Sequence, residues 1–320
     1  MSTKSSMPAV AGLLSVLPLS AQSLLRDLTP PPGSPSSSTP SAAVPFLGQA
    51  VFAATDEFGR EPWITDGTTQ GTRRLADVEP GNGSSDPSDF TVVGSTLFFV
   101  ASRTGFGREL WASDGTPLGT RMVLDVRAEN GIASSIAWMT AFAGRLFFVA
   151  TTGTAGTELW TSDGTAAGTQ IVKELVAGAS SSSPTDLVVG NGRLWFVAAQ
   201  VGSGRELWST DGTASGTVQA FELASGTASV QPEQLRAVGS RLFFTAQTAA
   251  QGRELWVSDG TFANTRLVAD VRAGTLGADV QQLTAFGGNV LFFADDGIAG
   301  LEPWISDGTV AGTRMLRDTN

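Results

Sequence analysis

The 320 residues contain no His and no Cys. That removes thiol nucleophiles, disulfides, Ser-His-Asp triads and every nitrogen- or sulfur-ligated metal site at once. What is left is carboxylate chemistry. Asp and Glu number 30 against 20 Lys and Arg, a formal charge of -10, which also disfavours gripping a nucleic-acid backbone. The carboxylates fall into a pattern. One octapeptide recurs six times: EPWITDGT from Glu61, ELWASDGT from Glu109, ELWTSDGT from Glu158, ELWSTDGT from Glu206, ELWVSDGT from Glu254 and EPWISDGT from Glu302, at spacings of 48 or 49 residues. A second acid (Asp77, Asp125, Glu174, Glu222, Asp270, Asp318) follows each motif Glu by 16 residues. A catalytic acid–base pair should break a repeat, whereas these acids recur in every unit, as structural residues do. The Asp-Gly-Thr turns lack the spacing of converging oxygens that an EF-hand needs, so neither a metal nor a cofactor is expected.

One position of the repeat varies in a way that could recognise a ligand. Aligning the units at their first apolar segment places Asp89, Trp138, Asp186, Gln234 and Gln282 together. Four polar residues and one Trp suggest a partly wet site, where an indole stacks on the apolar face of a sugar ring and the others supply hydrogen bonds. The competing reading makes Trp138 a filler between packed units, the role expected of Trp195 at its Phe-equivalent position.

The elements that must carry these residues are short strands. Each octapeptide is preceded by a hydrophobic run: LFFVA at Leu97 and Leu146, LWFVA at Leu194, LFFTA at Leu242, VLFFA at Val290. Another apolar piece lies upstream across a Gly-bearing turn, and a third follows the Asp-Gly-Thr. Within the turn, Asp caps its own backbone, Gly takes a positive φ and Thr re-enters extended structure. Four β segments per unit, with no helical period, make a propeller blade. The expected fold is all-β: a β-propeller of six four-stranded blades of about 48 residues. Six of the eight Trp sit in the octapeptide and should pack between blades. Pro62 and Pro303 replace its Leu, which predicts less regular first and sixth blades.

Residues 1–22 read as a signal peptide: Lys4, an apolar run from about Ala9 to Leu19, then small residues to Ser23. No stretch is long and apolar enough for a membrane helix. Residues 23–320 then form one propeller domain. Ser23–Leu28 (SLLRDL) copies the segment after the Asp-Gly-Thr, with Asp27 in the acid position. It is a surplus seventh copy, expected to close the ring at the outer edge of the last blade. Arg60, Arg108, Arg205 and Arg253 directly precede their motif Glu. Strand alternation sends these neighbours to opposite faces, so each Arg must find its partner on another strand.

With these motifs the chain resembles the bacterial ELWxxDGT-repeat proteins, known from myxobacteria and named for the same octapeptide. The resemblance covers about residues 23–320 and implies a secreted or surface propeller without an assigned catalytic residue. The expected function is therefore a non-enzymatic binding or scaffold module outside the cell, its partner an extracellular glycan or a surface protein. A propeller-type glycoside hydrolase and a purely structural repeat protein are the alternatives.

Overall fold

A computed structural model describes residues 37–128, 132–221 and 230–319. The signal-peptide segment, the closing strand Ser23–Leu28 and Glu222 lie outside them. Six four-stranded antiparallel sheets follow one another along the chain, each in simple sequence order. Blade two is representative: Ser88–Val93, Thr96–Arg103, Gly107–Ser113 and Arg121–Leu124. A 3₁₀ turn at Phe262–Asn264 is a helical element among the described residues. First strands of successive blades contact one another from blade one through blade six, so they line the axis and fourth strands lie outside. This is the six-bladed β-propeller that the repeat predicts.

Alternation explains the packing. In blade one, Phe46, Val51, Ile64 and Leu75 face forward and meet Leu97, Phe99, Ala101 and Trp111 of blade two. Equivalent clusters fill the next four junctions. Each such side chain contributes about 1.5–3 kcal/mol on burial. The motif Trp stacks on the Phe opposite it in its own blade, as Trp111 does on Phe99 with centroids 6.3 Å apart. Trp195 is buried and its Nε1 donates to the Gly190 carbonyl at 2.9 Å. Polar links add to the apolar ones. Arg73, Arg121 and Arg266 each donate to the carbonyl of the motif Gly in the following blade, at 3.3, 2.8 and 2.9 Å.

Among the described residues, no apolar cluster joins blade six to blade one. Phe286 and Leu316, equivalent to Phe46 and Leu75, are 62% and 46% exposed. Gly67 has open space around its Cα, whereas the other five motif glycines lie against a preceding blade.

The motif Glu is the hub of each unit. Glu61 is fully buried and accepts from the backbone N–H groups of Val78, Glu79 and Ser85 and from the Ser85 hydroxyl at 2.8 Å. It thereby ties the end of its own blade to the entry of the next. Ser134 and Ser182 donate in the same way to Glu109 and Glu158, at 2.6 and 2.5 Å. Burial pushes the Glu61, Glu109 and Glu158 carboxyls above the usual range, and the serine hydroxyls pull them back. The motif Arg residues bind carbonyls and hydroxyls of the blade entry: Arg108 reaches the Asp86 carbonyl at 2.7 Å, and Arg205 the Ser183 carbonyl at 2.9 Å.

Two expectations need correction in detail. The motif Thr does not return to extended structure. Thr68 stays in the turn, its N–H and hydroxyl both donating to Asp66 Oδ1, and its own hydroxyl accepts from Gly71 N–H. The strand resumes only at Arg73. Pro62 and Pro303 leave the ladder between second and third strands unbroken, pairing with Ala53 and Phe293. Their outer strands shrink to two residues, but so does that of blade three, which carries Leu159 there.

Candidate functional site

Each first strand except that of blade one carries a bulge at one and the same place. The ladder with the second strand shifts between Ser88 and Thr91, and likewise in blades three to six. The residue inside each bulge has a positive φ: 57° at Asp89, 56° at Trp138, 57° at Asp186, 55° at Gln234 and 54° at Gln282. The left-handed region suits Asp tolerably and Trp or Gln poorly, at a cost of about 1–3 kcal/mol each. Local bonds help to hold it. Thr91, Thr140 and Thr284, two residues on, donate their hydroxyls to the carbonyls of Asp89, Trp138 and Gln282. A bulge re-aims the side chain it contains, and here the aim is the axis.

The five residues aligned from sequence are therefore brought to one ring, but not to one cavity. Trp138, Asp186, Gln234 and Gln282, from four consecutive blades, line a cavity of about 310 Å³. Asp89 lies instead in a neighbouring cavity with Ser41, Arg60 and Phe90, accepting a hydrogen bond from Ser88 Oγ. Ala42 stands at the equivalent place in blade one and has no positive φ. The Trp138 indole is 46% exposed, so it is not the interblade filler that Trp195 is. Leu187, Leu235 and Leu283 form the cavity's buried apolar wall. Gln234 donates Nε2 to the Val280 carbonyl at 2.9 Å, which fixes its amide and leaves Oε1 able to accept.

Sequence alignment missed Arg236, which also lines this cavity and donates Nε to the Leu283 carbonyl at 2.9 Å. Two positions beyond the bulge, the other units carry Thr or Val. That difference was the available signal. No group of three or more acids able to hold a metal ion occurs among the described residues. The six motif Glu are too buried to reach a substrate. The cavity offers an aromatic platform, one carboxylate, one guanidinium and two amides. That is equipment for holding a polar chain with an apolar side.

No protein-family profile and no curated protein matches the sequence. Solved structures do resemble the fold. Puromycin hydrolase superposes with a TM-score of 0.50 at 16% identity, over 90% of this chain and 46% of that one. An S511A mutant of it complexed with PGG gives 0.50, over 87% and 45%. The β-propeller domain of the Trilobed protease from Pyrococcus furiosus gives 0.46 at 11% identity, over 88% of this chain and 85% of that one. The chain thus spans less than half the length of puromycin hydrolase. The six sheets and their axial first strands establish the propeller, and the likeness to puromycin hydrolase is one of fold. The expectation of a non-enzymatic binding or scaffold module is corrected at this point: the solved structure that superposes at a TM-score of 0.50 is a hydrolase. Among the described residues, no helix is long and apolar enough to cross a membrane.

Proposed function

We propose that this chain is a peptidase-related propeller whose axial cavity receives a peptide for hydrolysis. The observation that carries this reading is the convergence of Trp138, Asp186, Gln234 and Gln282 on one cavity, each held in a bulge of an inner strand. An extended peptide needs alternating donors and acceptors beside an apolar surface. The two amides, the carboxylate and the indole provide that set. The likeness to puromycin hydrolase supports a setting of hydrolysis for such a cavity. A nucleophile–histidine pair cannot be assembled from residues that include no His and no Cys, so cleavage of that type belongs to groups beyond this chain. The assignment to the ELWxxDGT-repeat proteins and export through residues 1–22 are parts of the same proposal, resting on the octapeptides and the N-terminal composition.

The test is binding of short unstructured peptides by calorimetry, with Trp138→Ala as the control. Peptides should bind, and the variant should weaken them about tenfold without changing the melting temperature. Oligosaccharides that bind where peptides do not would overturn the reading.

A further inference from the structure

The axial cavity sets one unpaired carboxylate in a lining that also holds a half-exposed indole. The Asp186 carboxylate makes no hydrogen bond and no ion pair among the described residues, although it lines the cavity from within a bulge. Gln234 has committed one N–H of its Nε2 to Val280, and its Oε1 is free to accept. Trp138 is half exposed, and the face of an indole attracts a cation. Arg236 is the cation of this lining, and its guanidinium is drawn by Nε toward the Leu283 carbonyl on the next blade. It makes no ion pair with Asp186. Gln282 adds an exposed amide that can serve either way.

Resting on the peptide reading above, we infer that this cavity takes the primary ammonium group of its peptide, seated between the Trp138 indole and the Asp186 carboxylate. An ammonium carries three N–H donors and one positive charge. The carboxylate, the Gln234 carbonyl oxygen and the ring face answer each of these. A neutral acylated end would leave the Asp186 carboxylate without a partner and lose the ring's attraction. The same chemistry can come from the peptide's free amino terminus or from a lysine side chain.

Three peptides separate the cases: Ala-Ala-Ala amide with a free amino terminus, its N-acetyl counterpart, and N-acetyl-Ala-Lys-Ala amide. Calorimetry at pH 7 and low salt should show the free-amine peptide binding about tenfold tighter than the acetylated one. Asp186→Asn should erase that difference at an unchanged melting temperature, with any loss on the acetylated peptide smaller than the loss on the free-amine one. Tighter binding of the lysine peptide than of the acetylated trialanine assigns the seat to side chains as well as termini, and the inference stands. Equal binding of all three, still weakened by Trp138→Ala, would overturn the ammonium seat and leave the peptide reading intact. Absence of binding by any peptide would overturn both.

Discussion

Glu254 lacks one oxygen that Glu61, Glu109 and Glu158 have beside them. In blades one to three, a serine hydroxyl donates to the motif Glu, whereas the fifth blade has Ala278 at that place. Glu254 is fully buried and accepts from the N–H groups of Val271 and Arg272, each at 3.2 Å. Burial, with Asp270 adding to it, pushes its carboxyl from 4.5 up to about 7. A folded-state value raised above the unfolded one means that the native protein holds the proton more tightly. That stabilisation is fully present below about pH 4.5 and is lost as pH rises through about 7. The whole difference corresponds to at most about 3 kcal/mol.

Ala278→Ser restores the missing donor. The backbone already accommodates that hydroxyl in three blades, where Ser85, Ser134 and Ser182 are themselves fully buried. A hydrogen bond to the charged form lowers the carboxyl's pKa. The variant should therefore be more stable than the parent by about 1 kcal/mol at pH 8, with the gain shrinking towards pH 4.5. Urea unfolding followed by tryptophan fluorescence at pH 4.5, 6 and 8 measures this. The Asp-Gly-Thr aspartates do not confuse the window. Their threonine hydrogen bonds hold them below the usual range, so they stay ionised throughout. A gain that is equal at all three pH values, or a loss at pH 8, would refute the reasoning.

Burial at the junctions predicts a contrast between two phenylalanines. Phe243→Ala, in a closed junction, should cost about 3–5 kcal/mol, whereas Phe286→Ala on the exposed face of blade six should cost under about 1 kcal/mol by chemical denaturation. Gly59→Ala should destabilise strongly, because its Cβ would stand 1.9 Å from the Gly83 carbonyl oxygen at a φ of +102°. Gly67→Ala, with open space at a φ of +88°, should cost only about 1 kcal/mol, and parallel melting curves compare the two.

The architecture was legible because its causes are local and repeated. A run such as LFFVA facing ELW across a hairpin, closed by Asp-Gly-Thr, states strand, turn and pairing in the residues themselves. The packing role of Trp195 followed from its place among phenylalanines. The hub role of the motif Glu did not, since it depends on where Ser85, 24 positions later, is delivered in space. A Glu–Ser spacing of 24 or 25 residues at Glu61, Glu109 and Glu158 was visible as a pattern, but nothing in it says that the acid is buried. That Phe286 and Leu316 meet no neighbouring blade among the described residues was equally hidden, because they occupy the same repeat positions as their buried equivalents.

The candidate site follows from a different logic. Residues that every unit must keep, Glu, Trp and Asp-Gly-Thr, are consumed by packing and turn geometry, so they are unavailable to a ligand. The bulge position is fixed in backbone and free in side chain, holding Asp, Trp, Asp, Gln and Gln at nearly one φ value. A repeat can hold such a conformation for architectural reasons while each blade spends the side chain differently. The four positions of blades three to six that share a cavity are thus where a symmetric scaffold becomes chemically asymmetric. Asp89 shows the limit of the alignment: it has the same φ and the same strand position, but it opens into the cavity beside blade one, where Ala42 replaces the bulged residue. Position in the repeat sets the direction of the side chain, and the neighbouring blade decides which space it enters.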